Sequence, residues 1–114
     1  MPLCVIDTNI PANNVPDSFQ ERLRNFLTKL LDKKFVTVRI NNGLRMCLGG
    51  GTTTEGNIVN VDLYGEFNSS ERNKEYSTAV LAFIAEELQL EEKMIAFVIH
   101  NIPATHHFTV DMLG

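Results

Sequence analysis

The chain has 114 residues, of which 44% are hydrophobic and 21% charged, with a formal net charge of −4. This size and composition are typical of one soluble globular domain covering residues 1–114, and they argue against a disordered tail. The acidic balance excludes nucleic acid as an expected partner, and no apolar run is long enough for membrane insertion.

The first predicted element is a short strand at the start of the chain. Leu3–Ile6 is an apolar run, and Asp7 and Asn9 after it are residues typical of turns. Pro2 lies directly before the strand and permits two interpretations. It could start an edge strand, where a missing N–H costs nothing. Alternatively, removal of the initiator methionine leaves a secondary amine at the end of a buried strand, where it could act as a base.

A helix is predicted next. A capping box could begin at Asp17 or at Ser18, and the apolar residues downstream share one helical face that ends near residues 32–34. These apolar residues are Phe19, Leu23, Phe26, Leu27, Leu30 and Leu31.

A second strand, Phe35–Ile40, is rich in β-branched residues, and a turn at residues 41–43 follows it. Residues 45–48 are predicted to form a short strand before the glycines at 49–51. These glycines are interpreted as a connector, because the Lys-Ser/Thr of a phosphate loop does not follow them.

The second half of the chain repeats this order. Residues 57–64 alternate between apolar and polar side chains, which predicts a strand. Apolar residues between Tyr76 and Leu88 have helical spacing and predict a helix that ends near Leu90, and Met94–Ile99 is predicted to be an apolar strand. Strand, helix and strand occurring twice predict an α+β fold of two βαβ units, which form a four-stranded mixed sheet with both helices on one face. Leu3–Ile6 and Met94–Ile99 are apolar on both sides, so we expect self-association to cover the second face.

Cysteine and histidine usage suggests no disulfide or metal site. Cys4 and Cys47 lie far apart in apolar segments, which predicts packed thiols and a cytoplasmic protein. No signal peptide is expected, and export by an unconventional route remains an alternative. His100, His106 and His107 lack the spacing of a zinc site, so we interpret them as tail residues.

A proline at position 2, two βαβ units and a chain of this length resemble the macrophage migration inhibitory factor and D-dopachrome tautomerase family. The stretches Asp7–Pro16 and Val36–Arg39, with Gly43-Leu44 after the second, are most similar to the D-dopachrome tautomerase branch. The resemblance extends through the last predicted strand.

This resemblance implies a homotrimeric, cofactor-independent tautomerase with active sites between subunits. Pro2 matches the catalytic base, Lys33 matches the lysine that binds the substrate carboxylate, and the backbone N–H of Tyr64 matches another carboxylate contact. Without the resemblance, Lys33 would be interpreted as a cation that stabilises a helix C-terminus. The implied substrate is a small aromatic 2-keto acid or D-dopachrome, whose carboxylate the same pocket could release. Burial near a cation should lower the pKa of the Pro2 amine from its ordinary range of about 7.7–8.0.

The sequence also departs from the family pattern. Ala96 and Val98 replace a tyrosine and an asparagine of the inhibitory-factor branch, Gly56 and Val59 stand in place of its CxxC, and His106–Val110 replaces the usual tail. Family members also act as extracellular signals. A non-catalytic or weakly catalytic protein that binds a cell-surface receptor is therefore the alternative function.

Overall fold

The computed structural model describes residues 2–47 and 56–106. The elements in chain order are strand β1 (Leu3–Thr8), helix α1 (Phe19–Leu30), strand β2 (Thr37–Asn41), strand β3 (Val59–Gly65), helix α2 (Ser70–Leu88) and strand β4 (Ile95–Asn101). Single turns of 3₁₀ helix occur at Ala12–Asn14, Glu92–Met94 and Ala104–His106. None of the helices in these two ranges is long and apolar enough to cross a membrane.

The four strands form one mixed sheet in the order β2-β1-β3-β4. β1 pairs in parallel with β2, and β3 pairs in parallel with β4. An antiparallel pairing of β1 with β3 joins the two halves. The prediction of two βαβ units in a four-stranded mixed sheet with two helices is confirmed.

One face of the sheet packs against both helices and forms the core. The sheet supplies alternate residues and the helices supply one apolar face each, and all of these side chains are buried in one cluster. Its fully buried members include Cys4, Ile6, Leu23, Leu27, Val61, Leu63, Val80 and Ile84. Burial of one such aliphatic side chain contributes about 1.5–3 kcal/mol. The helices also contact each other through Phe26 and Phe83, whose stacked rings have centroids 4.2 Å apart.

The second face of the sheet carries both apolar and polar positions. Val98 on β4 is apolar and 49% exposed there, in agreement with the prediction that Met94–Ile99 is apolar on both sides. However, β2 and β3 alternate in polarity, so their outward residues are polar or charged. On this face Asn41 Nδ2 donates a hydrogen bond of 2.7 Å to Asp7 Oδ1. The face therefore combines apolar positions with hydrogen-bonded polar positions.

The segment around β2 differs from its prediction. β2 begins at Thr37, and Phe35 precedes it with 54% of its surface exposed. Residues 44–47 form no strand, and the remainder of the predicted strand and the glycine run lie outside the described residues. The backbone of Gly43 has a φ of 63°, and the N–H of Leu44 donates to the Thr8 carbonyl at 3.0 Å. This hydrogen bond holds the loop after β2 against the end of β1.

The predicted capping boxes of α1 are wrong. Ser18 has helical backbone angles, and its side chain makes no capping hydrogen bond. Gln20, the partner predicted for Asp17, instead donates from Nε2 to the Val38 carbonyl at 2.8 Å. The helix ends at Leu30, before the predicted range, because Asp32 adopts a left-handed backbone with a φ of 52°.

The two cysteines have different environments. Both are free, and Cys4 is buried while Cys47 is exposed, so the prediction of two packed thiols is correct only for Cys4. Burial, assisted by the negative charge of Asp62, raises the pKa of the Cys4 thiol from 9.0 to about 12.

Candidate active site

Pro2 is buried at the beginning of a central strand. Its carbonyl oxygen accepts a hydrogen bond of 3.0 Å from the N–H of Thr37. Because β1 lies between β2 and β3, the interpretation of Pro2 as the start of an edge strand is wrong. In the sheet register the next residue, Leu3, pairs with Thr37 on one side and with Tyr64 on the other. Pro2 therefore lies at the same end of the sheet as Thr37 of β2 and Tyr64 of β3, which flank β1 on either side.

Lys33 lies in the connection between α1 and β2. The left-handed backbone of Asp32 ends the helix, and the Lys33 N–H then donates to the Thr28 carbonyl at 3.1 Å. The Lys33 side chain is exposed and forms no salt bridge with any residue in the described ranges. It lines two neighbouring grooves.

The first groove, which we name the basic groove, has a volume of about 590 Å³. It is lined by Arg24, Asn25, Thr28, Lys33, Lys34, Phe35, Val36 and Thr37. Since the backbone of Thr37 is bonded to the Pro2 carbonyl, this groove extends to the residue that neighbours Pro2 in the sheet.

The second groove, which we name the mixed groove, has a volume of about 250 Å³. Lys33 and Arg72 line it together with the carboxylates of Asp32 and Glu66. Glu66 follows β3 directly, so this groove reaches the end of the strand that carries Tyr64. The two grooves thus place Lys33 between the ends of β2 and β3.

Tyr64 belongs to a side-chain cluster that the sequence analysis did not predict. Its ring stacks on the imidazole of His100, with centroids 4.3 Å apart and planes at 10°. His100 Nε2 lies 2.8 Å from Asp62 Oδ1. The interpretation of His100 as a tail residue is wrong, because it lies within β4 and is paired in register with Tyr64. The alternation of side chains along β3 and β4 could have indicated that these residues share a face. Their contact could not be predicted without the pairing register of the two strands.

The remaining predictions concern the other two histidines and the two β4 positions that differ from the inhibitory-factor branch. His106 lies in the 3₁₀ turn after β4, and His107 and the following tail lie outside the described residues. In the part of the chain that the structure describes, no group of three or more His, Cys, Asp or Glu side chains is arranged to hold a metal ion. Ala96 and Val98 are exposed on β4, and both have apolar side chains, so neither position supplies a polar group.

The fold therefore brings the three predicted site residues to one end of the sheet. Pro2 precedes Leu3, which pairs with Tyr64 across β1 and β3. Lys33 lines one groove that includes Thr37 and another that includes Glu66, next to the ends of β2 and β3. A base at Pro2, together with a cation in the connection that leads into β2, would suit proton transfer in a substrate that carries a carboxylate.

The comparisons with known proteins concern the family and the fold. Residues 1–110 match the family described as macrophage migration inhibitory factor (MIF). The chain is 31% identical over 97 residues to a D-dopachrome decarboxylase of Xenopus tropicalis, covering 83% of this chain and 81% of that protein. The corresponding protein of Mus musculus is 29% identical with the same coverage.

The solved structure of the macrophage migration inhibitory factor from Trichinella spiralis has the same fold, with a TM-score of 0.83. It is 20% identical, and the match covers 95% of this chain and 96% of that one. At this identity the likeness supports the fold alone, whereas the family match extends over nearly the whole sequence. The chain belongs to the macrophage migration inhibitory factor family.

Proposed function

We propose that this chain, once Met1 is removed, is a cofactor-independent tautomerase of small aromatic 2-keto acids or of D-dopachrome. The observation that supports the proposal is the buried Pro2 before central strand β1, with Tyr64 on the adjacent strand β3 and Lys33 in the connection that leads into β2. The names of the relatives from Xenopus tropicalis and Mus musculus support a D-dopachrome-like substrate. With that substrate, the reaction could include loss of the carboxylate.

In the proposed mechanism, the neutral Pro2 nitrogen accepts a proton from the carbon beside the substrate carbonyl. It returns the proton at another position of the conjugated system. Lys33 holds the substrate carboxylate by its charge, and the backbone N–H of Tyr64 provides a second contact. Burial disfavours a positive charge, so we expect a Pro2 pKa below the ordinary α-amino range of about 7.7–8.0.

The active form in this proposal is a homotrimer whose sites lie between subunits. Its support within this chain is the second face of the sheet, where both helices are absent and Val98 is 49% exposed. Association across this face would bury Val98, and a neighbouring subunit would complete the site near Pro2.

The decisive experiment alters the Pro2 nitrogen without altering the fold. While Met1 is attached, that nitrogen is a tertiary amide without basicity. Protein of verified mass should therefore turn over an aryl pyruvate or D-dopachrome ester when processed and should be inactive when unprocessed. Inserting one alanine between Met1 and Pro2 should also abolish turnover, while the circular dichroism spectrum stays unchanged. Pro2→Gly keeps a free amine and should retain weak activity.

Activity of the processed protein should rise through one apparent pKa below the ordinary α-amino value between about pH 5 and about pH 8. Full activity of the alanine-insertion protein would exclude Pro2 as the base. If a correctly processed and assembled protein turns over none of these substrates, the receptor-binding alternative is favoured. The absence of polar groups at Ala96 and Val98 is the observation that supports that alternative.

A further inference from the structure

The two grooves beside Lys33 differ in charge. The basic groove is lined by three cationic side chains, Arg24, Lys33 and Lys34, and by no carboxylate. In the mixed groove, Lys33 and Arg72 are balanced by Asp32 and Glu66. Because the whole chain has a net charge of −4, the basic groove is a local exception to the overall acidity. An anionic group beside Lys33 is thus attracted toward the basic groove.

The cations of the basic groove are available to bind an anion. Lys34 Nζ lies 5.4 Å from the centroid of the Phe35 ring, and Lys34 forms no salt bridge with the described residues. Arg24 has one acidic neighbour, Glu21, at 3.8 Å. Both of those side chains are more than half exposed, so water and salt screen their interaction.

One substrate carboxylate requires only one of these three charges. Lys33 is the proposed partner of that carboxylate, so the charges of Lys34 and Arg24 in the same groove are not required for it. Arg24 also donates to Asn25 Oδ1 at 3.3 Å, which leaves its positive charge unneutralised. The aromatic face of Phe35, half exposed and contacted by the Lys34 ammonium, lies between the helix and the beginning of β2. A ring-bearing substrate held by Lys33 could therefore extend a second anionic group toward Lys34.

We propose that this enzyme selects aromatic 2-keto acids that carry a second anionic group, and that Lys34, with Arg24, binds this group. The inference rests on the proposed tautomerase function and names the substrate class of that site. Lys34 is a specificity-determining residue in this proposal, and the proton transfer at Pro2 is unchanged by it.

The test compares two substrates that differ only in charge, 4-carboxyphenylpyruvate and its neutral amide analogue 4-carbamoylphenylpyruvate. For the processed protein we expect kcat/KM to be about fivefold higher for the carboxylate, the scale of an exposed charge pair. Lys34→Gln should reduce this ratio to nearly one, and high salt should reduce it as well. Lys29→Gln, which removes a cation from the same helix region outside the groove, should leave the ratio unchanged.

A binding measurement separates failure of this inference from failure of the tautomerase proposal. Terephthalate and 4-carbamoylbenzoate are non-reactive probes with the same difference in charge, and calorimetry gives their affinities. If terephthalate binds more tightly than 4-carbamoylbenzoate only when Lys34 is present, Lys34 binds the second anionic group, and a lack of turnover then contradicts the tautomerase proposal alone. Equal binding and equal turnover of the charged and neutral partners, or a preference that survives Lys34→Gln, would overturn it.

Discussion

Lys33 owes its place between the two grooves to the backbone of the residue before it. Asp32 turns left-handed and ends α1, so Lys33 leaves the helix beside the end of the sheet. Under the tautomerase proposal, Lys33→Ala should lower kcat/KM for carboxylate substrates about tenfold or more. This loss corresponds to a charge-assisted contact of about 1.5–3 kcal/mol. Steady-state kinetics should show the change mainly in KM.

Methyl esters of the same substrates provide the control for Lys33, since they lack the anionic carboxylate. Their turnover should change little in Lys33→Ala, and Lys29→Ala should behave as the unaltered protein does with both substrate types. An equal loss for acids and esters would show that Lys33 does not act as the carboxylate anchor.

The buried thiol of Cys4 predicts a loss of stability at alkaline pH. In the unfolded chain the thiol ionises above pH 9.0, whereas the folded protein retains the proton until its pKa of about 12. The contribution of the protonated Cys4 thiol to the free energy of unfolding is therefore complete below pH 9.0 and is lost progressively as the pH rises toward 12. The free energy of unfolding should fall by about 1.4 kcal/mol for each pH unit within this window.

Urea unfolding at several alkaline pH values measures this effect. Cys4→Ala should remove the corresponding part of the pH dependence, while Cys47→Ala should keep it because Cys47 is exposed in the folded protein. The same alkaline slope in Cys4→Ala and in the unaltered protein would contradict the assignment to Cys4.

At the scale of elements, the two helices begin in different ways. The Ser69 side chain caps α2, with Oγ accepting from the N–H of Arg72 at 3.3 Å. Ser18 occupies the equivalent place before α1 but makes no such bond. We expect Ser69→Ala to lower the free energy of unfolding by about 1 kcal/mol, since a capping hydrogen bond is lost.

Ser18→Ala is the matched control for the cap of α2. It should change the free energy of unfolding by much less than Ser69→Ala, measured by urea unfolding at one protein concentration because assembly would add to apparent stability. Similar losses from both substitutions would mean that the Ser69 hydrogen bond does not stabilise α2 as described.

At the scale of the whole molecule, the second face of the sheet carries the prediction of assembly. Sedimentation equilibrium should give about three times the chain mass of 12.8 kDa. Val98→Glu should produce monomers, because it places a charge at an apolar position that the proposed trimer buries. Val98 is 49% exposed in the single chain, so this substitution should leave the fold intact.

Ala82→Glu adds the same charge at an exposed position on α2, away from the sheet, and should leave the trimer intact. A monomeric unaltered protein would reject the proposed assembly and the shared active site. A trimer that persists in Val98→Glu would show that association uses another surface.

The sequence by itself predicted the two helices, the four strands of the sheet and their grouping, because hydrophobic periodicity reports which residues share a face. It also predicted a short strand from residue 45 that the structure does not contain at residues 45–47. Alternation along β3 and helical spacing along α1 both predicted buried sides that the structure contains. Element boundaries were predicted less well. The left-handed φ of Asp32 ends α1, and Gln20 donates to the Val38 carbonyl instead of forming the predicted capping box. Neither feature is encoded in local periodicity.

Only the tertiary structure decided what surrounds the candidate site. Strand order makes β1 central and brings Thr37 and Tyr64 to either side of Leu3. The contact of Asp62 with His100 joins residues 38 positions apart, so it depends on the register of β3 and β4. The charges around Lys33 likewise come from separate parts of the chain: α1, the connection between α1 and β2, the residue after β3, and α2. Such contacts arise from long-range pairing, whereas the local sequence pattern specifies only the faces that take part in it.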